Sequence, residues 1–212
     1  MNRERAADEA RVFFEGLWRQ GDFWNFAASD FERARYRYLI DLLANRRYGR
    51  VLELGCGAGD FTVMLAGLAD HTVAVDIAEP AIARARARGL PSVEFRVANI
   101  MDLDVRAEGP LDLIVFSDTI CYLGWLYPFF DVAWMATELF AATADGGRLL
   151  LANAQFDEGE ALMQPAIIRT YHDMFRNVGY CSEREDVFRG TKNGVQQALL
   201  VSLLTRPGAR PV

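Results

Sequence analysis

Histidine is scarce in this chain, with two in 212 residues, and cysteine is little commoner, with three. The cysteines fall at 56, 121 and 181, a spacing that fits no metal site. Their odd, scattered count suits a reducing compartment rather than a disulfide framework. No carboxylate and histidine pattern suggests a metal either. Positive charge is in deficit: the net charge is −6, which argues against a broad phosphate-backbone interface and so against a nucleic-acid partner. No apolar run reaches the roughly 18 residues a membrane span needs. The opening MNRERAADEAR lacks the apolar stretch of a secretory leader. Repeats, low-complexity tracts and Pro/Ser linkers are also missing. The expectation is a soluble cytoplasmic protein, with its oligomeric state left open.

What remains is a chain 51% apolar, of a length that suits one α/β domain. A single domain is expected over 1–212, with a helical lid over 1–48 and a core over 49–206. Residues 3–19 have a helical period, then the aromatic-rich GDFWNFAASD breaks it. Ser29 or Asp30 caps a second helix, FERARYRYLIDLLANRR. From Arg50 the pattern alternates. VLEL, TVAVD, VEFRV, LDLIVF and GRLLLAN read as strands, separated by helical pieces that include a long one from about Tyr127 to Ala144. Such alternation means βαβ units and a parallel sheet. After a helix around 164–177, two strand-like runs joined by TKNG read as an antiparallel hairpin. Arginines gather at 33, 35, 37, 46, 47 and 50, and again as ARARAR at 84, 86 and 88; both sets read as solvated faces.

The chemistry starts at VLELGCGAGDFT. Gly55, Gly57 and Gly59 form G-x-G-x-G, one residue short of the dinucleotide fingerprint, and no Gly-Lys-Ser/Thr follows. Asp60 is expected to cap the next helix, taking the N-terminus that a pyrophosphate would occupy. Glu53 adds a second negative charge before the loop. Two carboxylates around bare backbone repel phosphate and favour a cation. Asp76 closes the second strand 19 residues past Gly57, the place of a carboxylate that accepts ribose hydroxyls. A ribose without a phosphate chain, plus tolerance of positive charge, fits S-adenosylmethionine.

ELGCGAG, VAVD, VANIMDLD and LDLIVFSD, in this order, resemble the motifs of class I S-adenosylmethionine-dependent methyltransferases. The resemblance implies a Rossmann-like fold: a seven-stranded, mostly parallel sheet with an antiparallel C-terminal hairpin and helices on both faces. It implies that Glu53 holds the methionyl ammonium, that Asp76 takes the ribose and that Ile77 packs on the adenine. Gly55, Cys56, Gly57 and Gly59 then form the cradle. Asn99 or Asp102 reaches the adenine amino group, Ile100 offers its N–H to the ring, and Ser117 and Asp118 end strand four beside the sulfonium. S-adenosylhomocysteine is the implied product.

The acceptor is written elsewhere. No N/D-P-P-Y/F follows strand four, which disfavours amino-methylating nucleic-acid enzymes. DFERARY (30–36), GCGAGDFT (55–62) and CYLG (121–124) resemble the nodulation protein S family. That family N-methylates the free amine of a deacetylated glucosamine at the end of a chitooligosaccharide. On this reading Asp118 and Tyr122 position an amine. An oxygen acceptor would need a base, which only His172, in RTYHDMF, or a carboxylate could be; the bland reading of His172 is a surface or capped residue. The N-terminal aromatics, Trp24 and Phe31 among them, form a lid or simply anchor the first helices. Arg33 and Tyr36 reach the methionyl carboxylate from it, and Trp125 and Tyr127 line the acceptor side. The alternatives are a small-molecule O-methyltransferase and, more remotely, a non-catalytic binding module or a nicotinamide reductase.

Overall fold

The computed structural model describes residues 3–26, 28–156 and 161–208. By their contacts these fall into two compact units, Met1–Leu103 with Gly190–Gln196, and Asp104–Arg189 with Gln197–Val212.

The first unit begins with helices α1 (Arg3–Arg19) and α2 (Asp30–Leu43), followed by β1 (Tyr48–Leu54), α3 (Asp60–Leu65), β2 (Ala69–Asp76), α4 (Glu79–Arg86) and β3 (Val93–Val97). A 3-10 turn, Ile100–Asp102, follows. Ser29 is the cap of α2, its hydroxyl accepting the Glu32 N–H at 3.4 Å. β1 pairs in parallel with β2, Tyr48 opposite Ala69, and β2 with β3. Pairing thus starts two residues earlier than the alternation from Arg50 suggested. Val51, Leu52, Leu54, Val73, Ala74 and Val75 are all buried, as continuous apolar runs must be when helices cover both faces of a parallel sheet.

The second unit contains α5 (Val105–Glu108), β4 (Leu111–Ser117), α6 (Ile120–Leu126), α7 (Phe129–Ala142), β5 (Thr143–Gln155), α8 (Pro165–Asn177), β6 (Cys181–Lys192) and β7 (Val195–Thr205). β4 runs parallel to β5, and β7 runs antiparallel to β5. Leu113, Ile114, Val115 and Phe116 are wholly buried. The expected helix from Tyr127 to Ala144 is shorter. Pro128 stands at its N-cap, and CYLG lies on the separate helix α6, which the sequence reading left unassigned. The TKNG turn is as expected: Asn193 and Gly194 both take positive φ, 52° and 79°, the left-handed pair that a two-residue hairpin turn demands. The strand order is β3-β2-β1-β4-β5-β7-β6, a seven-stranded, mostly parallel Rossmann-like sheet. No helix among the described residues is long and apolar enough to cross a membrane.

A buried ionic cluster fastens the N-terminal segment within the first unit. Glu32 and Arg35 are nearly fully buried, with Arg35 Nε 2.8 Å from Glu32 Oε2. From the hairpin tip, Lys192 Nζ donates to Glu32 Oε1 at 2.5 Å and to the Trp24 carbonyl at 2.8 Å. The Arg35 guanidinium lies 4.8 Å from the centre of the Tyr36 ring and 5.8 Å from that of Phe26, so aromatic faces share the cationic load. Removing one member of such a cluster strands the others without solvent. Glu32→Ala is therefore expected to cost about 3 to 5 kcal/mol of stability, read by chemical denaturation; a loss below about 1 kcal/mol would mean that Lys192 and Arg35 are solvated there.

Candidate functional site

In the first unit the glycine loop is a short arch of left-handed backbone. Gly55, Gly57 and Gly59 have φ of 84°, 52° and 77°. The Gly55 and Cys56 N–H groups both donate to the Val75 carbonyl, at 2.8 and 3.0 Å. Asp76 then ties the arch to the end of β2. Its Oδ2 accepts the Gly57 N–H and its Oδ1 the Ala78 N–H, each at 2.9 Å. A carboxylate oxygen has a further lone pair, so each can still accept a hydroxyl from a ligand. Burial raises the Asp76 pKa above its ordinary value, opposed by the bonds from Ala78 and Gly57.

Glu53 is 3% exposed at the end of β1, and its Oε2 has no hydrogen-bond partner among the described residues. Burial pushes its pKa up to about 8; the nearby Thr62 hydroxyl pulls it partly back and the Asp76 charge adds to the rise. An orphaned carboxyl oxygen beside a bare backbone cradle fits a ligand that brings hydrogen-bond donors and positive charge.

Asp60 departs from expectation. The cap of α3 is Gly59, without a side-chain bond, and Asp60 is the first helical residue. Its Oδ1 instead accepts from Arg88 at 2.6 Å, while Arg88 Nε donates to the Ala58 carbonyl at 2.5 Å. One of the two loop carboxyl groups is thus paired, which leaves Glu53 and Asp76 as the acidic side chains of the cradle without a basic partner among the described residues. Nor is ARARAR merely a solvated face. Arg86 donates to the Phe95 carbonyl at 3.0 Å, and Arg84 lies 5.8 Å from the centre of the Trp18 ring. Arg88 lies two residues past the end of α4, so no helical period could place it.

Trp18 falls on the helical period of residues 3–19, but nothing in the sequence tied it to the glycine loop. Its ring lies so close to Gly57 that a Cβ there would sit 2.8 Å from Cζ2. Trp18 is buried with Ala58, Ala78 and Ala81, and Trp24 packs against it at 5.4 Å between ring centres. Tyr36 is buried on α2, 5.2 Å from the Phe61 ring. Phe31 is also buried on α2. Arg33 is exposed and pairs with Asp30; the arginine of this helix that turns inward beside Tyr36 is Arg35. Asn99 caps the 3-10 turn, its Oδ1 accepting the Met101 N–H at 3.2 Å while its Nδ2 donates to Asp102 at 2.9 Å. The two alternatives for the adenine contact are therefore one hydrogen-bonded pair. Ile100 is buried beneath them, and Ile77 is half-buried after Asp76.

In the second unit Asp118 adopts φ of 55° and is braced by β5. Its N–H donates to the Ala152 carbonyl at 2.7 Å and its Oδ1 accepts the Ala154 N–H at 2.6 Å. Ser117, just before it, has a buried Oγ with no hydrogen-bond partner among the described residues. Tyr122 is half-buried against Cys121, Ile168 and Leu200, and Trp125 is exposed. Tyr127 is buried at the C-cap of α6. Gly124 carries the ring of Tyr171: a Cβ there would lie 2.1 Å from the phenol oxygen.

His172 is no surface residue. It is fully buried, with Nδ1 2.9 Å from Ser202 Oγ and Nε2 3.2 Å from Asn153 Oδ1. Burial, with Arg169 and Arg176 adding to it, pushes its pKa down to about 3 against the pull of Glu185. With both ring nitrogens engaged inside the unit, the reading of His172 as a base toward an oxygen acceptor loses its geometry.

With this geometry in place, the comparisons decide the family. The model of the nodulation protein S (NodS) family matches residues 7–127. The chain belongs to the nodulation protein S family. Nodulation protein S of Rhizobium tropici is 31% identical over 161 residues, which cover 73% of this chain and 59% of that one. The chain thus spans about three fifths of the length of that curated relative. Among solved structures, N-methyltransferase NodS from Bradyrhizobium japonicum WM9 in complex with S-adenosyl-L-homocysteine superposes with a TM-score of 0.76 at 21% identity, over 93% of this chain and 98% of that one. Magnesium protoporphyrin IX methyltransferase from Synechocystis PCC 6803, with bound SAM, gives 0.66 at 16% identity over 95% and 97%. At these identities the structural likeness establishes the Rossmann-like class I methyltransferase fold. The family model ends at Tyr127, so α7, α8 and the hairpin lie outside it.

A neutral His172 stabilises the fold above its unfolded pKa near 6.5, and that contribution is lost as pH falls toward 3. His172→Gln is expected to lower stability by about 1 to 3 kcal/mol at neutral pH, through imperfectly paired Asn153 and Ser202. The same variant is expected to flatten the loss of stability between pH 6 and 4. An unchanged acid limb would place the titration elsewhere.

Proposed function

We propose that this chain is an S-adenosylmethionine-dependent N-methyltransferase whose acceptor is the free amine of an amino sugar, of the deacetylated glucosamine-type oligosaccharide class, or a similar small amine. One observation carries the cofactor part. Glu53 and Asp76, neither in an ion pair with a basic side chain among the described residues, flank a backbone arch that holds no Cβ at 55, 57 or 59. Membership of the nodulation protein S family supports the amine part.

In this reading Glu53 takes the ammonium, Asp76 the ribose hydroxyls, Ile77 the adenine face, and the Asn99–Asp102 pair with the Ile100 N–H the adenine edge. Tyr36 serves the methionyl carboxylate, and Ser117 supplies a hydroxyl donor at the end of β4. The bound cofactor supplies a methyl group on a sulfonium, whose loss leaves a neutral thioether. Transfer to nitrogen disperses charge, so orientation and exclusion of water dominate and no metal is called for. An amine must be neutral with its lone pair directed at the methyl carbon. Asp118, fixed by two bonds to β5, and the Tyr122 phenol are the groups proposed to orient it and accept its protons. Trp24 and Trp125 offer aromatic faces to sugar C–H surfaces. The burial of His172 removes one of the two bases open to an oxygen acceptor, the other being a carboxylate such as Asp118.

S-adenosylhomocysteine is expected to raise the melting temperature by several degrees and NADH to leave it unchanged. Asp76→Ala is expected to abolish that rise; an unchanged rise would remove Asp76 from the site. With S-adenosylmethionine, mass spectrometry is expected to detect methylated glucosamine oligomers and no product from their fully N-acetylated forms. Methylation of the acetylated chain would overturn the amine assignment.

A further inference from the structure

The environment of Glu53 is that of a neutral group. The side chain is 3% exposed, its Oε2 has no hydrogen-bond partner, and no ion pair reaches it among the described residues. The ionisable groups facing it are Asp76 at the end of β2 and Cys56 in the loop, and the Thr62 hydroxyl stands beside it from α3. Asp76 is pinned to two backbone N–H groups, so it brings negative charge and no spare proton donor. Cys56 is held well above its ordinary pKa by burial and stays a thiol. A lone carboxylate in such surroundings is disfavoured by desolvation and by a like charge, and it takes up a proton instead.

We propose that Glu53 is a carboxylic acid in the ligand-free protein and loses its proton when the ammonium of the cofactor's amino-acid end arrives, so that capture of that end is coupled to release of one proton. The inference rests on the cofactor reading above. The O–H bond of Glu53 breaks, the proton passes to water or buffer, and the carboxylate keeps the electron pair that accepts an ammonium N–H. Nothing is oxidised or reduced. The driving force is a cation at contact distance in a poorly solvated place, where attraction outweighs the cost of ionising the acid. The arrangement also discriminates. A nucleoside without the amine gives Glu53 no reason to ionise and gains nothing from it.

The sign follows from the direction of the shift. Burial holds the Glu53 pKa near 8 in the free protein, so below that value the free state carries a proton that the bound state lacks. Affinity therefore falls as pH falls, by about tenfold per unit well below pH 8. Glu53→Gln has no proton to lose.

Isothermal titration at pH 7 in phosphate and in Tris counts the protons. S-adenosylhomocysteine is expected to release close to one proton on binding wild type. 5′-Methylthioadenosine, which keeps the adenine and ribose but lacks the amino-acid end, is expected to release none. Glu53→Gln is expected to bind S-adenosylhomocysteine with no release and no dependence on pH between 6 and 8. Binding to wild type with the same heat in both buffers would overturn the coupling while leaving the cofactor reading intact. Equal release with both ligands would move the proton to Asp76, and persistence of the release in Glu53→Gln would assign it to the ligand's amine. Either result overturns the proposal. Failure of wild type to bind S-adenosylhomocysteine at all would overturn the cofactor reading itself. Should the variant not fold, the two ligands compared on wild type still decide.

Discussion

The first unit is organised around the Asp76 carboxylate. By accepting the N–H groups of Gly57 and Ala78 it joins the middle of the glycine loop to the start of α4. The Gly55 and Cys56 N–H groups already hold the start of the loop on the Val75 carbonyl, and the Asp76 bridge adds its middle. With it, the backbone is held in one arch, and the same carboxylate keeps lone pairs for a ligand. One side chain thus builds the cradle and lines it, and this links the fold of β1, β2 and their crossover to the chemistry proposed for it.

Around the arch the protein spends charge unevenly. Asp60 is matched by Arg88, and Glu32 by Arg35 and Lys192, whereas Glu53 is left without a cation. Buried pairs are tolerated because each charge meets its opposite. An unmatched buried carboxyl is tolerated only as the neutral acid, or once a ligand supplies the missing sign. The contrast between neighbouring carboxylates separates fastening from recognition in this unit.

Much of this was legible before any coordinates. The strand–loop–strand spacing from Glu53 through Gly57 to Asp76 depends on local backbone geometry, and so did the Asn193-Gly194 turn; both read straight from the sequence. What did not read were features set by packing between distant segments. Trp18 lies against Gly57 from a helix 39 residues earlier, and the period of α1, which includes it, does not name that partner. Lys192 reaches Glu32 across 160 residues. His172 carries a polar label but lies at a buried position of α8, where Asn153 and Ser202 satisfy it, and only the fold reveals those partners. The helix at CYLG was hidden because its seven residues are too short and too uniformly apolar to show a period.

CYLG also has a second meaning. The final glycine of that motif is obligatory because the phenol of Tyr171 occupies the volume its methyl group would fill. A glycine there need not report contact with a sugar at all; it is the imprint of a bulky neighbour on α8, beyond the stretch that the family model covers. Positions 124 and 171 should therefore vary together: a homologue with a small side chain at the second position is free to carry alanine or serine at the first. Sorting relatives by acceptor on the strength of this tetrapeptide would then group them by how two helices interlock.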